Sequence, residues 1–167
     1  MGVALTYLDL QEALDKPNVN AFLKMIRAGE GTSDEDGYRR HFGGELFTSF
    51  TDHPRKVIAK KSRGKMLFSS AAGAYQFLAR TWDEMSALYG LKDFSPINQD
   101  IAAVGLIHRR RALADVIEGR FHEAVRKCAA EWASLPESPH DQPTRTYWEA
   151  FAVYEAAGGR VEGADVA

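Results

Sequence analysis

The chain has 167 residues, is 45% hydrophobic and carries a formal charge of -2. That is enough apolar content for one well-buried domain, or for two small lobes sharing a cleft, and it gives no global attraction to nucleic acid or to an anionic membrane. A lone cysteine, Cys128, excludes an internal disulfide. It lies four residues before Trp132 on an expected helix face and reads as a small buried hydrophobe.

The N-terminus has no basic n-region, and Asp9, Glu12 and Asp15 break any apolar h-region, so it is not a secretory signal; no apolar run approaches the length of a membrane span. The expectation is a protein that stays in the cytoplasm in which it is made. Thr6 is placed to cap a short helix that Pro17 stops, an element that reads as an extension over residues 1–17. A second helix is expected from an Asn18 N-cap to about Gly29.

Glu30 lies four residues beyond Ile26, the last member of the helical stripe Val19, Phe22, Leu23, Ile26. That spacing aims a carboxylate at the interior face. Gly29 and Gly31 flank it, so the helix should end there, with the acid at the mouth of whatever the stripe covers. Burial and the negative end of the helix dipole would both push its pKa up, which suits a general acid near neutral pH. The plain alternative is a solvated helix-end glutamate, which a one-residue error in the stripe would make it.

Residues 31–70 are rich in glycine, charge and β-formers. GGELFTSF reads as one short strand and Lys56 to Ala59 as a second; the basic run Lys60, Lys61, Arg63, Lys65 reads as a loop leading to the next helix. From Ala74 the spacing of Tyr75, Leu78, Trp82, Met85 and Tyr89 predicts a helix stopped by Gly90. Ser95 and Pro96 form an N-cap and N1 pair for a helix through Ile101, Val104 and Ile107 toward Ile117, ending near Gly119. A further helix carries Val125, Cys128, Ala129 and Trp132, and a last one carries Tyr147, Phe151 and Tyr154 before Gly158 and Gly159. The order is one helix ending in a carboxylate, a small β lobe, then a larger helical lobe, an α+β arrangement. Residues 18–160 form this domain and residues 161–167 read as a flexible tail.

Five segments in fixed order carry a resemblance: AFLKMIRAGEGT at 21–32, GGELFTSFTDHPRK at 43–56, GAYQFL at 73–78, GLKDFSPINQD at 90–100 and WASLP at 132–136. The chain resembles the lambda-type phage endolysins over residues 18–160. The resemblance implies a lysozyme-like fold with the active cleft between two lobes, and lytic transglycosylation of peptidoglycan with Glu30 as the single catalytic carboxylate. Glu30 would protonate the leaving glycosidic oxygen at the bond between N-acetylmuramic acid and N-acetylglucosamine. It would then act as base toward the muramic C6 hydroxyl, closing a 1,6-anhydro ring.

The alternatives stay in view. Asp34, Glu35, Asp36, Glu45 and Asp52 follow closely enough to supply the second acid of a conventional muramidase. Another phage lysozyme class pairs its Glu with an Asp nine positions on and a Thr six further, where this chain has Arg39 and Glu45. A non-catalytic wall-binding or structural phage protein is the other alternative.

By the same resemblance Tyr75 and Gln76 would face the cleft, although Tyr75 also begins an apolar stripe and reads equally as core. Thr48 and Gln99 are further substrate-binding candidates; Asp52 and His53 read as pinning a turn before Pro54, and Asp100 as structural. Loop lengths on either side of GGELF differ from the family pattern, and Ala74 stands where a basic residue is usual. No cofactor or metal is called for, since the five histidines show no paired ligand spacing. His108 to Arg111 spread around a helix and suit a solvated face better than nucleic acid. A monomer held in the host cytoplasm, reaching the periplasmic cell wall through a holin-type membrane lesion, completes the expectation.

Overall fold

The computed structural model describes residues 4–136 and 147–163. In chain order these form helices α1 (Tyr7–Leu14) and α2 (Pro17–Glu30), a 3-10 turn at Glu35–Arg39, strands β1 (Ile58–Ser62) and β2 (Lys65–Ser69), and helices α3 (Ala79–Tyr89), α4 (Pro96–Arg109), α5 (Leu113–Glu118), α6 (Phe121–Cys128) and α7 (Tyr147–Ala156).

Thr6 caps α1 as its sequence implies. The Thr6 hydroxyl accepts the Asp9 amide at 3.3 Å while the Asp9 carboxylate accepts the Thr6 amide at 2.8 Å, a reciprocal capping box. The helix is no loose appendage, because Leu10 and Ala13 are buried and α1 packs on α4 and α2. Helix α2 starts with Pro17 in its first turn rather than with an Asn18 cap. Proline's missing N–H is one that the first turn could not pair in any case. Asn18 instead ties the helix outward, donating to Ile117 O at 3.1 Å and accepting the Arg160 amide at 2.9 Å. The stripe Val19, Phe22, Leu23, Ile26 is buried as expected, and α2 packs on α7 and α5.

Helix α4 begins at the expected Ser95 and Pro96, and from Ile101 to Ile107 every residue is buried. A helix apolar on all sides belongs in the middle of a core. It does not continue to Ile117. The Arg111 amide returns to His108 O at 2.8 Å and that of Ala112 to Ile107 O at 3.0 Å, with Arg111 left-handed at φ 59°, before α5 starts. The apolar pattern runs through the break because Ala112 and Val116 bury against the same core. Similarly α3 starts at Ala79, five residues later than the apolar spacing predicts, because residues 72–77 form a tight turn closed by the Ala72 and Phe77 bridge. Trp132 lies beyond the end of α6. Past α7, Glu162 donates its amide to Gly119 O at 3.0 Å, so the segment expected to be a flexible tail is held this far; residues 164–167 lie outside the described residues.

The β lobe is where sequence and structure differ most. GGELFTSF forms no strand, only a bridge between Leu46 and Arg40 and an amide bond from Phe47 to Arg39 O. The sheet is instead an antiparallel hairpin pairing Lys60 with Leu67 and Ser62 with Lys65 around a turn at Arg63 and Gly64. The basic run expected as a loop is therefore the hairpin itself. Both faces of the hairpin are largely exposed, so the alternation that marks a half-buried strand is missing from its sequence. Between the lobes Phe47, Phe77 and Trp82 pack on Phe94, Trp82 edge-on at 4.6 Å between centroids.

His53 pins the turn at Asp52 to Arg55. Its Nδ1 accepts the Arg55 amide at 2.9 Å, which leaves Nε2 to donate to Phe77 O at 2.7 Å. Burial holds the imidazole pKa below its ordinary value of 6.5. The unfolded chain therefore takes up this proton at higher pH than the folded one, and stability present above about pH 6.5 is lost as pH falls toward the lower folded value.

Two outcomes are expected from urea unfolding. Leu10→Ala should cost about 3 kcal/mol, as for other fully buried leucines, whereas a loss under about 0.5 kcal/mol would make α1 an appendage after all. Stability at about pH 7.5 should exceed that at about pH 5.5, with His53→Gln shrinking the difference; an unchanged slope in the variant would remove His53 from the account.

Candidate active site

The site begins at the end of α2. Gly31 caps the helix in the left-handed region, φ 77°, and the chain turns so that the Thr32 amide returns to Arg27 O at 2.9 Å. Arg27 locks the turn, donating through Nε and Nη2 to Thr32 O at 3.0 and 2.7 Å and through Nη2 to Asp34 O at 2.8 Å, while its guanidinium lies 4.4 Å over the Tyr38 ring. The buried Thr32 hydroxyl donates to Ala74 O at 2.5 Å. Glu30 is thus carried on a turn fixed both to its own helix and to the Gly73 to Gln76 turn opposite.

Glu30 is half-buried and lines a cleft of about 480 Å³. The hairpin walls one side through Lys60, Leu67, Phe68 and Ser69, and the segment after α6 supplies Glu131, Ala133 and Ser134. Ser134 donates its hydroxyl to Glu30 Oε2, so this serine, 104 residues away in sequence, sets the carboxylate's orientation. Trp132 positions it, because its buried indole N–H donates to Tyr75 O at 3.1 Å.

The remaining candidates separate. Gln76 lines the cleft, and both of its amide hydrogens are taken, by Arg40 O at 3.2 Å and Gly73 O at 2.9 Å, so it has its oxygen to offer a ligand. Tyr75 turns the other way. It is 2% exposed and donates to Asp100 Oδ1 at 2.6 Å, as Tyr38 does at 2.9 Å. Burial pushes the Tyr75 hydroxyl well above its ordinary pKa and that of Tyr38 up to about 12, and burial also pushes the Asp100 carboxyl up against the lowering effect of both phenols. Asp100 is structural, as expected.

Gln99 is not a binding residue. It is fully buried, with Oε1 accepting the Ala74 amide at 2.9 Å and Nε2 donating to Tyr38 O and Phe94 O at 3.0 and 2.8 Å. Thr48 is exposed and does not line the cleft.

None of the acids named after Glu30 lines the cleft. Asp34, Asp36 and Asp52 pair with Arg40, Arg39 and Arg55, and Glu35 and Glu45 are exposed. The second carboxylate of the cleft wall is Glu131, whose side chain is 9% exposed and whose Oε1 is held by Arg109 at 3.2 Å and Arg110 at 2.9 Å. This also accounts for two arginines of the basic run at 108–111. Cys128 is buried and burial raises its thiol to about 12, the inert hydrophobe expected. Ser134 and Glu131 carried no periodic signal, since both lie in turns after α6; the WASLP segment was the one trace of Ser134, and Glu131 had none.

A larger helical lobe, a small hairpin lobe and a cleft between them with a glutamate at a helix end define the lysozyme-like class of α+β folds. The chain superposes on bacteriophage lambda lysozyme complexed with a chitohexasaccharide at a TM-score of 0.81 and 38% identity, covering 87% of this chain and 97% of that one. A second structure of lysozyme from bacteriophage lambda gives 0.78 at 37% identity, with the same coverages of 87% and 97%. The sequence is 40% identical over 152 residues to the endolysin of Escherichia phage lambda, 87% of this chain and 94% of the relative. It is 35% identical over 156 residues to the endolysin of Escherichia phage P2, 85% and 93% of the two. Residues 20–161 match the Endolysin family model, and the chain belongs to that family.

Replacing Gln99 separates support from binding. Gln99→Leu strips partners from three buried backbone groups and should cost about 3 kcal/mol or more in urea unfolding, with KM of the folded fraction unchanged. A raised KM at unaltered stability would restore Gln99 as a substrate ligand.

Proposed function

We propose that this endolysin cleaves the bond between N-acetylmuramic acid and N-acetylglucosamine in peptidoglycan by lytic transglycosylation, with Glu30 as acid and then base. The observation that carries the reading is the carboxylate inventory of the cleft. Among the described residues its wall holds Glu30, oriented by Ser134, and Glu131, held by two arginines. A carboxylate bound by two guanidiniums is a poor nucleophile and a poor base toward water, whereas a conventional glycosidase needs two working acids. Transglycosylation needs one.

The steps balance on that single group. Glu30 gives its proton to the glycosidic oxygen as the C1–O bond breaks, and positive charge develops at C1 of the muramic residue. The substrate's N-acetyl group stabilises that charge, as in the substrate-assisted exceptions to the two-carboxylate rule. The Glu30 carboxylate then takes the proton of the muramic C6 hydroxyl as its oxygen bonds to C1, which restores the acid and adds no water. Gln76 can accept a hydrogen bond from a bound sugar's hydroxyl or amide through its oxygen. Binding of a glycan along this cleft is supported by the chitohexasaccharide held by the related lambda lysozyme.

Access belongs to the same proposal. We place the protein in the host cytoplasm as a monomer, reaching the periplasmic wall after a holin-type protein opens the membrane; family membership motivates this. Among the described residues no helix is long and apolar enough to cross a membrane. Efficient lysis on expression without any such partner would count against it.

Digestion of purified peptidoglycan followed by mass spectrometry tests the chemistry. The expected muropeptides end in 1,6-anhydro-muramic acid, one water lighter than hydrolysis products, and Glu30→Gln should lower the rate by about 10²–10⁴-fold while leaving the fold intact. Reducing ends would mean hydrolysis and make Glu131, rather than Glu45 or Asp52, the second acid to examine. Equal lysis by wild type and variant would sink the catalytic assignment.

A further inference from the structure

The charge of the hairpin is not absorbed by anything above. Between Asp52 and Asp83 the sequence contains no acid, yet it carries Lys56, Lys60, Lys61, Arg63 and Lys65 in close succession. None of these five has an acidic partner among the described residues, whereas Arg39, Arg40, Arg55, Arg109, Arg110, Arg120, Arg126 and Lys127 are all ion-paired. In a chain of formal charge -2, an unpaired cationic strip on one small element is a segregated field.

The register says where it faces. Lys60 lines the cleft, held at its edge 5.9 Å from the Phe42 ring, and so does its cross-strand partner Leu67. Strand alternation puts Ser62 and Lys65, two positions along, on the face of Lys60, Leu67 and Ser69, and Lys61 and Met66 on the other, which reaches the cleft only at Phe68, further from the turn. Arg63 stands at the turn. From Lys60 to the turn the strand advances about 10 Å, the reach of about three extended peptide residues.

We propose that the cleft-side face of the hairpin, Lys60 and Lys65 with Arg63, binds the carboxylates of the peptide stems borne by the glycan strand in the cleft. The proposal rests on the reading of the Glu30 cleft as the site of strand cleavage. A bare N-acetylglucosamine oligomer is neutral and offers these cations nothing. Each muramic residue of peptidoglycan bears a peptide with free carboxylates, attached beside the sugar ring that must sit against Glu30. An anionic lipid surface is the competing source of negative charge. It would draw on the other face, where Met66 and Phe68 are 53% and 68% exposed but Lys61 is the one cation of the strip.

Soluble uncross-linked peptidoglycan strands are compared with the same strands after their stem carboxylates are converted to amides. Arg63→Asn/Lys65→Gln removes two cations from the cleft side, with asparagine suited to the left-handed φ of 51° at position 63; Lys61→Gln is the control on the other face. The expected result is a KM on free-carboxylate strands raised about three- to ten-fold in the double variant. Its kcat, its KM on amidated strands and its melting temperature should stay unchanged, with Lys61→Gln silent on both substrates. An unchanged KM, an equal rise on amidated strands, or an equal rise in Lys61→Gln would overturn the assignment. So would an unchanged KM together with lost sedimentation on phosphatidylglycerol vesicles, which would give the hairpin to lipid. Co-sedimentation with insoluble sacculi, amidated or not, reads the contact independently of cutting. If wild type cleaves neither strand, the cleavage reading fails, while carboxylate-dependent retention lost in the double variant would still support the contact.

Discussion

The turn from Gly73 to Gln76 is the constraint on which the site depends. Thr32, two residues past Glu30, ends on Ala74 O; Gln99 of α4 ends on the Ala74 amide; Trp132, two residues before Ser134, ends on Tyr75 O. Each contact satisfies a main-chain group in a buried place, where an unpaired one costs about 1–3 kcal/mol. The three segments therefore cannot shift independently, and the distance between Glu30 and the groups around it is fixed by backbone geometry rather than by the flexible side chains that line the cleft. Gly73 makes the convergence possible. A Cβ there would stand 2.4 Å from Gln99 Oε1 and 2.8 Å from Phe94 Cζ, at a φ of 85° that L side chains avoid.

Much of this was legible because it rests on local rules. The buried stripe of α2 and the glycine after it place Glu30 at a helix end facing inward, and Thr6 and the Ser95 and Pro96 pair mark true helix starts. The hairpin was legible only at its start, where Ile58 and Ala59 of the strand expected over Lys56 to Ala59 open β1; beyond them a strand exposed on both faces has no alternation to display and its lysines read as loop. Gln99 was misassigned, and Tyr75 left open between cleft and core, for a related reason. A polar group near a candidate acid reads as a ligand in one dimension, and whether it is spent on the backbone is decided by partners tens of residues away, Tyr38, Phe94 and Asp100 among them. The helix expected to run on to Ile117 breaks at the basic run 108–111, where Arg111 turns left-handed, although Ala112 and Val116 beyond it bury in the same core.

Charge is distributed with the same economy. On the helical side Arg109, Arg110, Arg120 and Arg126 are paired with acids, and the pairing that holds Glu131 to Arg109 and Arg110 also joins the end of α4 to the segment carrying Ser134. Exposed ion pairs contribute little to stability, but a carboxylate 9% exposed between two guanidiniums is more strongly held. The consequence for the chemistry is a division of labour between two glutamates in one cleft. Glu131 has its charge committed to the arrangement of the wall, while Glu30 is oriented by the Ser134 hydroxyl.

That division bears on the single-acid chemistry proposed above. A hydrolase must hold a water where a second carboxylate can activate it, and the second carboxylate must be free to do so. In this cleft the other wall carboxylate among the described residues, Glu131, is already bound to two cations, and the hairpin wall brings the Lys60 ammonium, which has no acidic partner among the described residues. A cation there repels developing positive charge at C1 and attracts an anionic substituent, so it favours holding the substrate by its periphery over stabilising the reacting centre. The reacting centre must then be stabilised by what the substrate itself carries. An internal hydroxyl and an N-acetyl group are the groups a muramic residue brings with it, which is the physical reason that one oriented glutamate, a rigid backbone platform and a cationic rim are compatible with the proposed ring closure.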